Sequence, residues 1–223
     1  MNVAIIFLGI LCVPCILFTI FNIVSNKYKN EDNKKKLSGF EVAREILDEH
    51  NLKDIYIVEV KESFNDHYDY NSKVVKLSSE VFHGETIYAA IIASRIASYA
   101  VQDKENYTFM KFRGSLYQMI MFANYVSYII FVVALCIKDS SVLSIANLVL
   151  SLVLFFHLIT LPVEFDACNR AVKYMNKYNH LTKKELEEAN MLVKVSSYTF
   201  IMSMITCISN LVSEIVYNIQ RRG

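Results

Sequence analysis

The feature that most constrains this chain is a set of long apolar runs with no charged residue. The first run, residues 3–24, is long enough as a helix to cross about 30 Å of hydrocarbon. Two further uncharged runs cover residues 116–137 and 142–162, and residues 191–219 form a helical but more polar run. The sequence therefore predicts an α-helical membrane protein with four transmembrane helices.

The remaining composition agrees with alternating apolar and polar blocks. Apolar residues make up 54% of the chain and charged residues 20%, while 5 Gly and 2 Pro favour long helices over an all-β fold. The net charge of +1 gives no electrostatic basis for binding nucleic acid. The five cysteines lie within or just past the apolar runs, so we expect packing residues rather than a disulfide framework.

The distribution of basic residues predicts the orientation. Residues 25–115 and the loop 163–190 carry most of the Lys and Arg, so both are expected on the cytoplasmic side. The link 138–141 between the second and third spans is too short for anything but an antiparallel helix pair, and it would face outside. Arg221 and Arg222 oppose this orientation, but terminal charges weigh less than loop charges.

Residues 25–115 form the predicted polar domain, a small α+β unit. Ser38 fits the N-cap of a helix over 39–50, whose apolar side consists of Val42, Ile46 and Leu47. Residues 54–60 are predicted as a half-buried strand and 65–71 as a turn-rich connection. Residues 73–77 are predicted as a second strand and 85–102 as a mostly apolar helix. The last helix carries one charge between Ile87 and Val101, so we expect burial on most sides.

This order of elements is typical of a zincin-type peptidase domain, and several stretches make the resemblance specific. They are Ser38-Gly39-Phe40-Glu41-Val42-Ala43-Arg44, Asp66-His67-Tyr68-Asp69, Val74-Val75-Lys76-Leu77-Ser78, Lys111-Phe112-Arg113 and Thr160-Leu161-Pro162-Val163-Glu164-Phe165-Asp166-Ala167. On these stretches the chain resembles the membrane-embedded neutral zinc metallopeptidases of the YugP-like group. The resemblance implies a zinc cofactor in the family, a zincin-like cytoplasmic domain and a bacterial plasma membrane.

The catalytic motif of that family is absent. The family helix reads Ala-His-Glu-x-Gly-His-Ala-x-Gln, and the corresponding run here is Ser94 to Gln102. Arg95 and Tyr99 stand where the two zinc-binding His residues belong, and Ile96 replaces the general base. Since Arg cannot give up its proton to bind metal and Ile cannot transfer protons, we expect no zinc and no catalytic residue here.

The resemblance makes Glu164 the third metal ligand of the family, retained in this chain. One hypothesis is that Arg95 replaces the zinc charge by pairing with Glu164, with Tyr99 hydrogen-bonding to the same carboxylate. The alternative is that Arg95 reaches the headgroup surface and Glu164 is solvated. The sequence leaves both open.

Other polar residues offer weaker candidates. Asp66, His67 and Asp69 could suggest a metal cluster, but a local turn whose carboxylates cap backbone groups explains them without metal, and the family match suggests a substrate-edge or structural element. His157 lies inside the third span, where it is either functional or bonded as a neutral ring between helices. His83, at a loop-to-helix junction, is expected on the surface.

The function predicted from these residues is that of an inactive pseudo-peptidase. It would lie in the lipid bilayer and bind a peptide, a membrane protein or an active relative. One alternative is a zinc metallopeptidase with unorthodox ligands, such as His67, His83 and Glu164. Another is an unrelated small membrane scaffold or transporter.

Overall fold

The structure is a computed structural model that describes residues 16, 19–61, 66–137, 140–187, 189–194, 201, 204, 205, 208 and 212. Most of the predicted first and fourth spans, residues 3–24 and 191–219, and part of the link 138–141 lie outside the described residues.

The described chain is mostly helical, with one small sheet. The elements in chain order are helix α1 (described over residues 19–28), α2 (Gly39–Glu49), β1 (Tyr56–Val60), β2 (His67–Asp69), β3 (Val74–Ser78), α3 (Ser79–His83), α4 (Ile87–Lys104), α5 (Thr108–Ile137) and α6 (Ser140–Lys177). Residues 183–187 and 189–194 are also helical.

Helix α2 begins as the sequence predicts. The Ser38 side chain accepts the Glu41 backbone N–H, and the Glu41 carboxylate accepts the Ser38 N–H at 2.7 Å, which together form a capping box. Val42, Ile46 and Leu47 are fully buried, so the predicted apolar side is confirmed.

The sheet has three strands rather than the two expected. β3 lies in the middle, parallel to β1 and antiparallel to β2. The prediction of a turn-rich connection over 65–71 is therefore wrong for His67–Asp69, which pairs with β3 and buries Tyr68. The turn follows it: Asp69 Oδ1 accepts the backbone N–H groups of Asn71 and Ser72, each at 3.1 Å.

Helix α4 is the central helix of the core, as its composition predicts. It begins after Thr86, whose hydroxyl accepts the Ala89 N–H, and fifteen of its eighteen residues are buried. Small side chains allow neighbouring helices to approach closely; the Ser94 hydroxyl lies 3.4 Å from the Ala171 carbonyl oxygen of α6. Apolar burial of this extent is the main stabilising contribution in a small domain.

Helices α5 and α6 pack against each other as the predicted helix pair, with Ile120 of α5 against Val153 and Phe156 of α6. One described stretch, Ser151–Lys177, has the length and mean hydropathy (1.5) of a membrane-spanning helix. The four predicted spans thus stay a prediction, since length and hydropathy support one of them within the described residues.

Helix α6 does not stop where the third predicted span ends. It continues through Pro162 to Lys177, and residues after Pro162 join the core of the α+β unit, among them Val163, Ala167, Ala171 and Met175. The loop predicted over 163–190 therefore contributes helix to the same core as residues 28–110. This continuity places Glu164 beside α4.

Candidate functional site

A cavity of about 240 Å³ lies between α4, β2, the first turns of α5 and the part of α6 that contains Glu164. Seven of the residues that the sequence singled out line this cavity: Asp66, His67, Asp69, Arg95, Ile96, Tyr99 and Glu164. Tyr68, Tyr70, Asn71, Lys76, Met110, Arg113 and Gly114 complete the lining. Residues far apart in sequence thus meet at one site, which the resemblance implied and local patterns could not establish.

Helix geometry places the former motif positions on one face. Arg95 and Tyr99 are four residues apart on α4, a spacing that brings two side chains to the same side of a helix. Ile96 follows Arg95 and also reaches the cavity. Glu164 faces them from α6, so the arrangement retains the relation between motif helix and third ligand that the resemblance implies.

The Glu164 carboxylate is fully buried and held by two side chains. The Tyr99 hydroxyl donates a hydrogen bond to Glu164 Oε2 at 2.7 Å. Arg113 Nη2 lies 2.8 Å from Glu164 Oε1. This second contact is an ion pair between two largely buried side chains. The Arg113 guanidinium also stacks over the Tyr99 ring, 4.5 Å from its centroid.

The hypothesis that Arg95 pairs with Glu164 is wrong in this structure, although its Tyr99 part is confirmed. Within the described residues the Arg95 guanidinium forms no ion pair within 4 Å, and its Nε is buried without a hydrogen-bond partner. The alternative of a solvated Glu164 is also wrong, since that residue is 0% exposed. Arg113 is the cation in contact with the carboxylate because α5 begins next to α4 and packs against α6.

Burial fixes the protonation state of Tyr99. Removal from water, with a smaller contribution from the negative charge of Glu164, raises the pKa of the Tyr99 hydroxyl well above its usual value. Tyr99 therefore keeps its proton and acts as a donor to Glu164.

The cluster of Asp66, His67 and Asp69 lies in and next to strand β2, and its two carboxylates accept backbone N–H groups. Asp66 Oδ1 accepts the backbone N–H of Ser78 at 2.7 Å, and Asp69 Oδ2 pairs with Lys76 Nζ at 2.9 Å. The hydrogen bond from Lys76 lowers the pKa of Asp69 to about 2, so it stays ionised and paired. Both carboxylates cap backbone groups, which supports the structural interpretation of this stretch.

Two other histidines lie away from the cavity. His83 is exposed, as predicted, and its Nε2 lies 3.4 Å from Glu59 Oε2. His157 Nδ1 lies 2.8 Å from the Val153 carbonyl oxygen of its own helix, so the predicted bond between helices is not the contact observed. Neither ring belongs to the residues that line the cavity.

The sequence analysis missed Arg113 as a site residue. Arg113 was named only within a stretch that carries the family resemblance, whereas its side chain lines the cavity and contacts Glu164. The available signal was the resemblance of Lys111-Phe112-Arg113 to the family. Gln102, the last residue of the motif run, is buried and donates to the Val163 carbonyl oxygen at 3.0 Å and to Asp166 at 2.8 Å, which ties α4 to α6.

The residues present do not fit a zinc ion at the motif position. Zinc sites use neutral imidazole, thiolate or carboxylate ligands, and here the two motif positions hold a guanidinium and a protonated phenol. The one retained carboxylate, Glu164, already faces the Arg113 cation. Within the described part of the chain no group of three or more His, Cys, Asp or Glu side chains is placed to hold a metal ion.

The Glu164 contacts predict strong coupling between Arg113 and Glu164. Arg113→Gln would leave a buried carboxylate without its cation and is expected to lower the free energy of unfolding by about 3–5 kcal/mol. Adding Glu164→Gln should recover part of that loss, and denaturant unfolding in detergent measures the cycle. A parallel cycle of Arg95→Gln with Glu164→Gln should show smaller coupling. Additive losses for Arg113 and Glu164 would contradict this account of the site.

Comparison with known proteins identifies the family of this chain. Residues 3–218 match the profile of a family described as "Putative neutral zinc metallopeptidase". The chain is 29% identical over 208 residues to the "Putative membrane protease YugP" of Bacillus subtilis (strain 168), a match covering 92% of each sequence. No solved structure matches the chain. The match spans the apolar runs, the α+β unit and the site, and the chain therefore belongs to this family of neutral zinc metallopeptidases.

Proposed function

We propose that this chain is a catalytically inactive member of its family, which keeps the fold to bind a peptide, a membrane protein or an active relative. The observation that carries the proposal is the occupation of the motif positions. By the resemblance, Arg95, Ile96 and Tyr99 stand where both metal-binding His residues and the general base belong, and they line a cavity with Glu164 opposite them.

Hydrolysis of a peptide bond needs an activated water and a group that moves its proton. The Ile96 side chain can do neither, and Tyr99 holds its proton in a hydrogen bond to Glu164. Arg95 remains protonated at any working pH and cannot act as a base. These three replacements together leave the family reaction without two of its three metal ligands and without its base.

The surroundings of the cavity support binding of an extended chain. β2 lies at the edge of the sheet, paired with β3 on one side, and His67 to Asn71 line the cavity. A strand at a sheet edge can accept a peptide as an additional strand, because its outward N–H and C=O groups are available for pairing. Such binding needs no metal.

A membrane location is supported by the exposed faces of α5 and α6. Met119, Phe122, Tyr125 and Ile129 recur every three or four residues on α5, and each is more than 60% exposed. A matching exposed series on α6 consists of Ile145, Leu148, Leu152, Phe155 and Leu158. Apolar surface of this extent is stable against lipid and unfavourable in water. We therefore place this helix pair in a bilayer, with the α+β unit on the cytoplasmic side of a bacterial plasma membrane.

The alternative with unorthodox ligands has less support. It needs His67, His83 and Glu164 around one ion, but His83 is exposed and contacts Glu59, outside the cavity that the other two line. An unrelated scaffold or transporter is the weaker alternative still, because the chain belongs to a peptidase family over nearly its whole length.

Restoring the motif His residues tests the assignment of these positions. The double variant Arg95→His, Tyr99→His would place two imidazoles at i, i+4 opposite Glu164, and we expect it to bind about one zinc per chain after purification. The wild-type chain and the single Arg95→His variant are expected to bind far less. Elemental analysis of the purified proteins gives the comparison. Stoichiometric zinc in the wild-type chain would contradict the proposed inactivity.

A photo-crosslinking residue tests the binding role in the native membrane. Placed at Asn71, which is exposed and lines the cavity, it should give a discrete adduct with a partner chain on illumination. The matched control is the same residue at Asn176, which is exposed on α6 outside the cavity lining. The Asn71 adduct should be lost when Arg95→Gln and Glu164→Gln are added. Equal labelling at both positions, or none at Asn71, would count against a binding role.

A further inference from the structure

The cavity contains three cationic and three acidic side chains, and two ion pairs leave one cation, Arg95, and one carboxylate, Asp66, without an ionic contact. Lys76 Nζ lies 2.9 Å from Asp69, and Arg113 Nη2 lies 2.8 Å from Glu164. Within the described residues Arg95 forms no ion pair within 4 Å, and its Nε is buried without a hydrogen-bond partner. A buried donor without a partner costs free energy, which a ligand that accepts hydrogen bonds would recover.

The third carboxylate does not neutralise Arg95 by contact. Asp66 Oδ1 is bound by the backbone N–H of Ser78 at 2.7 Å and by its hydroxyl at 3.0 Å, which turns the carboxylate toward β3. Burial raises the pKa of Asp66, although the positive charge of Arg95 opposes this shift. Asp66 and Glu164 therefore attract Arg95 electrostatically without contacting it, and each carboxylate is bound by other groups.

We propose that the cavity binds the carboxylate of a peptide through the Arg95 guanidinium. The inference rests on the proposed binding function and names the group that this site recognises. The planar fork of Arg matches the two oxygens of a carboxylate, so a bidentate contact would satisfy the donors that the protein leaves open. Arg95 thereby fills the position of the family's metal with a fixed positive charge that faces the ligand.

The size and lining of the cavity favour the end of a chain over a longer insertion. At about 240 Å³ it is smaller than the roughly 300–1,000 Å³ of a pocket for a drug-sized molecule. Ile96 and Met110 provide apolar lining beside Arg95, and β2 provides a strand edge along which preceding residues could pair. A peptide ending in an apolar residue presents a carboxylate and an apolar side chain together, which matches this lining.

Fluorescence anisotropy on the full chain in lipid nanodiscs tests the proposal. The probes are fluorescein-labelled Gly-Ser-Ala-Ala-Leu with a free carboxylate, the same peptide with an amidated end, and an amidated version with Glu as last residue. We expect amidation to weaken binding about tenfold or more, the scale of a hydrogen bond to a charged group. Tight binding of the amidated Glu peptide would assign the carboxylate to a side chain and still support the site.

Variants identify the residue responsible. Arg95→Gln should weaken binding of the free-carboxylate peptide to the level of the amidated one, and Arg95→Lys should fall between. Lys173→Gln removes an exposed positive charge of α6 outside the cavity lining and should change nothing. If Arg95→Gln does not fold, as judged by thermal unfolding, Arg95→Lys and the amidated probe carry the comparison.

The opposing outcomes are distinct. Equal binding of free and amidated peptides, or full binding by Arg95→Gln, overturns the carboxylate site while leaving peptide binding intact. No binding of any probe also overturns it, and the crosslink at Asn71 then decides separately whether the proposed function holds.

Discussion

The buried carboxylate of Glu164 is the interaction on which the site depends. It brings together Tyr99 of α4 and Arg113 of α5 on a residue of α6, so three helices meet at one negative charge. A carboxylate without exposure to water is costly unless it is paired, and each partner also fixes the position of its helix. Because α6 continues through Pro162, its apolar half and its half in the α+β core belong to one continuous helix that carries this charge.

The same interaction explains how the fold can persist without the family's metal. In a zinc enzyme the retained carboxylate faces a cation bound from outside, whereas here the chain supplies Arg113 for charge and Tyr99 for a hydrogen bond. Arg95 adds a second positive charge within the cavity, which further disfavours a metal cation there. Under the proposed function, the motif positions hold groups that replace the electrostatic role of the ion and not its chemistry.

Local features of the sequence predicted much of the fold. The capping box at Ser38, the burial of α4 and the short link between α5 and α6 depend on neighbouring residues or on simple apolar patterns, and all three were predicted. The three-residue strand β2 was missed because it forms only through pairing with β3 and has no alternating pattern of its own. The residues around β2 favour a turn, and the sequence therefore predicted a turn over 65–71.

The sequence predicted seven of the residues that line the site, but not which cation pairs with Glu164. The family resemblance identified seven residues of the cavity, whereas the choice of Arg113 over Arg95 as the partner of Glu164 depends on how α5 crosses α6. No spacing along the chain contains that information. A basic residue next to an apolar run normally indicates a membrane surface, and Arg113 departs from this because its side chain turns inward.

Thermal unfolding of the wild-type chain with added zinc tests the central claim most directly. A ligand that binds the folded state raises the melting temperature in proportion to the logarithm of its concentration above Kd. If Arg95, Tyr99 and Arg113 have taken the place of the metal, zinc at micromolar concentration should leave the melting temperature unchanged. A zinc-dependent rise that disappears in Glu164→Gln would contradict the account.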